Sequence, residues 1–496
     1  MKKLIIVGAG ISGLSAGIYA ARSGFDVTIL EQHNTFGGFS TGWSRKGYFF
    51  EGGMHWLTGS SPKLPLNRIW HETGALQENN PIENRDPLYT LIDGDDRVCL
   101  YRYLPEMEKE LLRYAPEDAK MIKKMCRDTK AFVNFHMPVF DVAGCKCKTP
   151  AGFNPLEFIK MLPAVFRVPR LQKQSLESYL DGFTNKNVRH LLNCVIGYHY
   201  NALSFIYTLG AFAAGDCGYP DGGSIRMAKN MEQTFIGLGG KIEYRSKVEE
   251  VLTKADGNGR QVVCGVRTAK GQQAADAVII SQDTRAAIDK LFAKPFEEKW
   301  TAKMRKNVTP DQNIFISLGI KADLSQLPYA IVLPLKKPLE YAGCQWTELR
   351  LNNYARYKDH SPEGCTSITC LLIGNSYDFW KEAKADGTYK AKKEELCNMF
   401  VDLVAEHIPQ VKSELVVTDV ATPLTYERYT GAYQGSWMSI WTPGSSMDNY
   451  PQASKSVNGL YFAGLRTMMP GGLPIAVYTG RQAVQHLCKD TKTLFI

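Results

Sequence analysis

Leu4-Ile5-Ile6-Val7-Gly8-Ala9-Gly10-Ile11-Ser12-Gly13 is the stretch whose reading decides the fold. The four apolar residues predict a short buried strand. A helix is expected next, from Leu14 to Ser23, with Ala16, Ala20 and Ala21 keeping one side small and Gly24 as its stop. Val27-Thr28-Ile29-Leu30 then predicts a second strand, ending on Glu31. Strand, glycine turn, helix, strand and acid follow one another in the order a dinucleotide-binding unit requires. Gly8 permits the tight turn, Gly10 lets backbone approach a pyrophosphate, and Gly13 lets helix and strand pack closely. The helix N-terminus presents unpaired N–H groups to phosphates. Glu31 can accept hydrogen bonds from ribose hydroxyls and would repel a 2′-phosphate.

Two further glycine clusters extend this reading. Gly37-Gly38, followed by Phe39-Ser40-Thr41-Gly42, suggests continued backbone contact with a longer ligand. Gly459-Leu460-Tyr461-Phe462-Ala463-Gly464 and Pro470-Gly471-Gly472-Leu473-Pro474 precede an expected helix from Ile475 to Leu487. This repeats the strand, glycine turn, helix logic and offers a second helix N-terminus to a cofactor.

Composition sets the outer bounds. The chain has 496 residues, 22% charged and 44% hydrophobic, with 59 Lys plus Arg against 50 Asp plus Glu and a net charge of +9. A disordered, collagenous or disulfide-scaffold chain is excluded, and two or three domains are expected. The mild positive charge permits an acidic surface as partner and does not point to nucleic acid. The 12 cysteines are scattered without a CxxC pair, so no metal site is expected, and scattered thiols suit a reducing compartment. The apolar run 4–7 is too short for a signal segment, and the uncharged run from His190 to Gly215 carries too many polar groups and glycines to read as a membrane span. A cytoplasmic location is expected, with possible contact at the inner face of the membrane.

These residues carry a resemblance. Val7–Gly38, Phe50-Glu51-Gly52-Gly53-Met54-His55-Trp56, Tyr219-Pro220-Asp221-Gly222-Gly223, Gly239-Gly240-Lys241-Ile242, Val248-Glu249-Glu250-Val251, Gly265-Val266, Thr422–Gly431 and residues 459–480 together resemble flavoproteins of the phytoene desaturase, carotenoid isomerase and retinol saturase type, within the amine-oxidase-like superfamily. The resemblance implies FAD as cofactor. It implies an α/β architecture, with a Rossmann-like FAD-binding domain of the glutathione-reductase type interwoven with an α+β substrate domain. Gly8, Gly10, Ile11, Ser12 and Gly13 would line the pyrophosphate, Glu31 would hold the adenosine ribose, and Gly37, Gly38 and Ser40 would continue along the phosphates. Val248 would read the adenine edge through its backbone, and Gly464, Leu473, Pro474 and Ile475 would lie beside the flavin. Two positions depart from the pattern: Phe39 stands where members often carry Arg, and Leu465 where many carry Asp. Either Arg466 and backbone groups compensate, or the chain belongs to a divergent subgroup.

The patches lie far apart, so each domain is expected to be discontinuous: 1–75, 215–295 and 415–496 for FAD, and 76–214 and 296–414 for substrate. Segments 312–320 and 366–374 read as strands. Segment 388–408 reads as an amphipathic helix with Leu396, Met399, Phe400, Leu403 and Val404 on one side. Residues 151–173 interleave Phe158, Ile159, Leu162, Val165 and Phe166 with Lys160, Arg167, Arg170 and Lys173, a mixture suited to an anionic bilayer. The run 190–215 supplies Tyr198, His199, Tyr200, Asn201, Phe205, Tyr207 and Phe212, a lining for an extended apolar substrate or an ordinary helical core. His55 and His199 read as core histidines, and no catalytic acid or base stands out. The expected activity is FAD-dependent oxidoreduction at carbon–carbon bonds of a hydrophobic, isoprenoid- or lipid-like molecule: desaturation, saturation or isomerisation. One alternative is a flavin amine oxidase, with Trp437 and Trp441 as a flanking aromatic pair. Another, remote, is a non-catalytic prenyl-binding escort protein of the Rab GDP-dissociation-inhibitor type. The sequence sets neither the electron partner nor the oligomeric state.

Overall fold

Five parallel strands build the sheet that positions the site: β1 (Lys3–Val7), β2 (Asp26–Leu30), β3 (Lys241–Glu243), β4 (Ala277–Ile280) and β5 (Leu460–Phe462), in the order β5-β4-β1-β2-β3. The structure is a computed structural model and describes residues 2–152, 155–469 and 471–496. Successive residues of β1 point to opposite faces. Leu4 and Ile6 join a core with the helices α1 (Ile11–Arg22), α2 (Gly223–Gly237) and α3 (Gly472–Thr491). Ile5 and Val7 join a second core with Val248, Val266, Phe296 and Trp300. A strand covered on both faces reads as an unbroken apolar run, which is why residues 4–7 carry no alternation.

The helix expected from Leu14 begins three residues earlier, because Gly10 serves as its N-cap with extended backbone (φ −72°, ψ 176°). It ends at Arg22, and Gly24 turns the chain with φ +86°. Small residues hold α1 between its neighbours. A Cβ on Gly17 would stand 2.9 Å from the Phe235 ring of α2, and one on Gly480 of α3 would stand 2.5 Å from the Ser12 carbonyl oxygen. The Ser15 hydroxyl donates to the Val477 carbonyl at 2.7 Å and fixes the α1–α3 register.

A second sheet has seven strands in the order Leu415–Ala421, Asn313–Ile320, Thr366–Ile373, Cys344–Asn353, Ala330–Tyr341, Tyr89–Asp93 and Asp96–Leu100. Its pairings are antiparallel except that between Ala330–Tyr341 and Tyr89–Asp93. Both strands read from the sequence lie in it, paired from Asn313↔Ile373 to Ile320↔Thr366. The helix read at 388–408 spans Tyr389–Ala405 and buries Leu396, Phe400 and Val404 against this sheet. Met399, expected on the same side, is exposed instead, because it sits one position round from Phe400 on the outer face.

The order of elements shifts two expected boundaries. Strand Leu415–Ala421 lies in the seven-stranded sheet, not with the nucleotide sheet, because its backbone pairs with Asn313–Ile320. Helix Lys299–Asn307 packs Trp300 and Met304 under β4 and β5 and so leaves the segment expected on the substrate side. The run from His190 to Gly215 forms helices Lys186–Asn193 and Ala202–Ala213, and most of it is core. Phe205 packs there, Asn201 caps the second helix, and Tyr200 is bound to Asp311. Of the aromatics named above, Phe212 and Tyr207 line cavities. His199 is exposed, contrary to its reading as a core histidine. Among the described residues no helix is long and apolar enough to cross a membrane.

Candidate active site at the carboxyl edge of the parallel sheet

The register aligns the ends of four strands, with Val7 opposite Leu30 and Ile280, and Ile280 opposite Phe462. Every residue leaving that edge is therefore brought to one line. Gly8 follows β1, Glu31 follows β2, Ser281 follows β4, and Ala463-Gly464 follow β5. The ladder continues into the turns: Gly8 N donates to Leu30 O at 2.8 Å, Ser281 N to Val7 O at 3.1 Å, and Ala463 N to Ile280 O at 2.9 Å. In open parallel sheets ligands bind at this edge, where helices leave in different directions.

The three glycines of the first turn have separate jobs. Gly8 adopts φ +102°, the left-handed region. A Cβ on Gly13 would stand 2.0 Å from the Gly8 carbonyl oxygen, so this glycine is required by packing. A Cβ on Gly10 would meet nothing closer than 3.9 Å, the Gly37 carbonyl oxygen. Protein packing alone therefore does not require glycine at position 10, which is the expected signature of a cradle kept open for a ligand. Gly37 closes the cradle, donating its N–H to the Ala9 carbonyl at 2.8 Å, and Gly38 follows with φ +59°. The hydroxyls of Ser12 and Ser40 are buried with no protein partner. Buried hydroxyls rarely stay unpaired, so both fit a ligand bearing oxygen acceptors.

Glu31 is 8% exposed. Its carboxylate accepts the N–H of Ala9 at 2.7 Å and of His33 at 2.8 Å, leaving further lone pairs for ribose hydroxyls. Burial pushes its pKa up against those two backbone donors. Ser246 N donates to the Glu31 carbonyl at 2.8 Å, which brings Val248, the first residue of strand Val248–Ala255, to the same corner. Gly464 has φ +123°, and its N–H is held by the Thr479 hydroxyl at 2.9 Å. Leu473, Pro474 and Ile475 form the first turn of α3, which starts after Gly471 at φ +102°. Pro470 lies outside the described residues. The site residues so placed fit an extended dinucleotide: phosphates at Gly8–Gly13 and Gly37–Ser40, a ribose at Glu31, and a ring system toward Gly464 and α3.

Several supports escaped the sequence reading. Ser281 donates its hydroxyl to the carbonyls of Val7 at 2.8 Å and Gly8 at 3.0 Å, pinning the first turn. Its only sequence signal is a serine ending the apolar run 277–280. Glu51, buried at the second patch, accepts from Gly53 N (2.8 Å), Ser224 N (3.0 Å), Ser224 Oγ (2.5 Å) and Tyr219 OH (3.3 Å), and burial raises its pKa. It thereby ties the 51–56 turn to the start of α2. The two departures also have structural accounts. Phe39 packs its ring 5.8 Å from that of Tyr426. Arg466 does not take over for the missing acid. It is 1% exposed and committed to a buried ion pair with Asp283 (2.9 Å), to Ser439 Oγ (2.7 Å) and to Ser436 O (3.0 Å). Trp441 is packed in the helical core and gives its indole N–H to Ser445 O at 3.2 Å, so it is not free to flank a flavin.

On the other side of the 51–56 turn lies a narrow cavity, lined among others by His55, Trp56, Arg85, Leu88, Phe212, Tyr329 and Asn352. Burial, reinforced by the Arg350 and Arg85 guanidiniums, holds the His55 pKa well below the usual imidazole range, so the ring is neutral. Among the described residues no cluster of His, Cys, Asp and Glu could hold a metal ion.

A parallel sheet with two glycine-opened helices and an acid following its second strand defines a dinucleotide-binding protein. The chain matches the family described as "Flavin containing amine oxidoreductase" over residues 11–488 and belongs to it. It is an FAD-dependent oxidoreductase. It is 22% identical over 517 residues to the phytoene desaturase (lycopene-forming) of Pseudescherichia vulneris, covering 99% of this chain and 100% of the relative. It is 25% identical over 487 residues to the all-trans-retinol 13,14-reductase of Danio rerio, covering 87% and 76% of the two chains. The crystal structure of an oxidoreductase from Methanosarcina mazei shares the fold, with a TM-score of 0.62 at 15% identity over 97% of this chain and 100% of that one.

Proposed function

We propose that this enzyme acts on carbon–carbon bonds of a hydrophobic, isoprenoid- or lipid-like substrate, by desaturation, saturation or isomerisation. The observation that carries the reading is the cavity beside the 51–56 turn, walled by Trp56, Leu88 and Phe212. Its support from outside is the near full-length similarity to a phytoene desaturase and a retinol reductase. Bound FAD supplies hydride acceptance or donation at its ring. Gly8, Gly10, Ile11, Ser12, Gly13, Gly37, Gly38 and Ser40 hold its phosphates, Glu31 its ribose, Val248 its adenine, and Gly464, Leu473, Pro474 and Ile475 its ring side. The aromatic and aliphatic walls align the substrate chain and exclude water. The FAD-binding part is read as discontinuous, residues 1–75, 215–307 and 422–496, with the remainder serving the substrate.

The same reading places the protein in the cytoplasm with a membrane-facing patch. Helix Pro155–Val165 carries exposed Leu156, Phe158, Ile159 and Val165, and Phe166 is exposed in the turn that leads to helix Val168–Lys173. Arg167 and Arg170 both pair with Asp128, at 3.3 and 2.7 Å, so the basic side of this patch is weaker than its sequence suggests. Flotation with anionic vesicles, wild type against Phe158→Ser/Phe166→Ser, tests it; no flotation of the wild type removes the patch.

For the reaction, the yellow holoenzyme is given an acyclic polyene in detergent micelles, with putrescine in a parallel arm. The expected result is a changed number or geometry of conjugated double bonds and no peroxide from the amine. Peroxide from putrescine alone would assign the protein to the amine oxidases.

A further inference from the structure

The cavity holds a cation that nothing around it fully uses. Arg85 lies between aromatic rings, its guanidinium carbon 3.4 Å from the centroid of Tyr329, 3.9 Å from Tyr219 and 5.3 Å from Tyr357. Such faces hold a guanidinium in place without neutralising it. Its side chain is 10% exposed. Nε donates to the Tyr357 hydroxyl at 2.8 Å and Nη1 to the His55 carbonyl at 3.1 Å, while Nη2 is buried with no partner. Among the described residues the one carboxylate within ion-pairing distance of it, Glu83, stands 3.4 Å from Nε; its side chain is 55% exposed and also takes the Tyr357 hydroxyl.

Groups in and behind the lining add positive potential and donors. Arg350 stands close enough to depress the pKa of His55, and among the described residues no carboxylate lies within ion-pairing distance of its guanidinium. Arg102 is spent on the carbonyls of Arg85, Phe212, Asp216 and Cys217. The Asn352 amide donates to His55 Nδ1 at 3.2 Å, so the neutral ring, in the orientation this network sets, carries its proton on Nε2. An unpaired buried guanidinium N–H is costly unless an acceptor arrives.

We propose that Arg85 anchors the carboxylate of the substrate, so that the molecule bound here is an apolar chain with one acidic end. This rests on the reading of the cavity as the substrate site and narrows its ligand from apolar molecules in general to apolar carboxylic acids. One carboxylate oxygen accepts from Arg85 Nη2, a charge-assisted bond in a water-poor site. The hydrocarbon lies along Trp56, Leu88 and Phe212, and Glu83 stays at the outer rim.

The test uses matched probes on the holoenzyme: retinoate against retinol by tryptophan fluorescence quenching, and decanoate against decanol by calorimetry. Each pair shares its hydrocarbon and differs at the polar end. The carboxylate is expected to bind roughly tenfold more tightly in at least one pair. Arg85→Gln should bring the two members of that pair to within about twofold, leaving the alcohol's affinity unchanged, and Arg85→Lys should keep part of the preference. No carboxylate preference in either pair overturns the proposal, as does an Arg85→Gln protein that keeps it. Should Arg85→Gln fail to fold, as read from its melt, the wild-type pairs and Arg85→Lys decide. Flavin content and polyene conversion, read on the same preparation, report separately on the reading of the reaction.

Discussion

The glycine turn at residues 8–13 and the cavity around Arg85 are both small, buried and shaped for a ligand, yet they are built in opposite ways. The turn is made by neighbours in sequence. Six consecutive residues, one strand before and one helix after supply nearly all of it, and the fold adds only Ser281, Gly37 and Glu31 at fixed places. The cavity is made by residues with nothing between them but the fold: His55, Arg85, Tyr219, Tyr329 and Asn352 come from five separate parts of the chain. Backbone recognition of a phosphate needs a local conformation, and local conformation is written in local sequence. Recognition by side chains needs only convergence, which no spacing rule records.

The largest expected effect comes from the bond that joins the two kinds of construction. Arg466 and Asp283 leave the edge after β5 and β4, and Arg466 reaches Ser436 and Ser439 on the far side. Arg466→Met leaves Asp283 buried and unpaired and should cost about 3–5 kcal/mol in urea unfolding. The double change Asp283→Asn/Arg466→Met should recover part of it; a double variant no more stable than the single one would dismiss the pair as the cause.

Asp311 is the next largest and belongs to the convergent kind, since Tyr200 reaches it at 2.5 Å from 111 residues away. Burial raises its pKa from 3.8 to about 6. The folded state therefore prefers the protonated acid. The stability it contributes is complete below pH 3.8 and is lost as pH rises through about 6. Between pH 4 and 8 the wild type should lose stability relative to Asp311→Asn by at most about 3 kcal/mol, read from paired unfolding curves. Parallel pH profiles for the two proteins would show that the carboxyl titrates normally.

The smallest effects on the fold separate the glycines. Gly13→Ala drives a methyl onto the Gly8 carbonyl and should cost about 1–3 kcal/mol together with flavin. Gly10→Ala meets open space and should stay within about 0.5 kcal/mol of wild type, yet lose FAD at least about tenfold more readily. Equal flavin retention in Gly10→Ala and wild type would move the pyrophosphate elsewhere.

Legibility in the sequence follows the same division. The strand at 4–7, the helix behind it, Glu31 and the last glycine-opened helix could all be read, because apolar runs and glycines report directly on backbone. The places of Leu415–Ala421 and Lys299–Asn307 are not legible in the sequence, because nothing in a strand or helix names its partner. Arg85 sits in Asn84-Arg85-Asp86-Pro87, which reads as a polar turn. That its guanidinium meets tyrosines 134, 244 and 272 positions later is set by tertiary pairing, such as Glu83 opposite Tyr219 in a short antiparallel ladder. The run 190–215 supports two readings for a related reason: a lining helix and a core helix have the same composition, and Asn201 and Tyr200 spend their polar groups on capping and on Asp311.

The position of β5 and α3 has a consequence in time. A ribosome makes a chain from its amino end, so β1, β2 and α1 emerge long before the strand at 460–462 and the helix at 472–491 that complete their sheet and cover α1. Until then one face of α1 is bare at Ser12 and Ser15, and the edge of β4 has no neighbour. The nucleotide cradle is thus begun first and closed last. Nascent chains halted before residue 460 should expose this surface to chaperones, and FAD should be captured only once the helix at 472–491 has emerged.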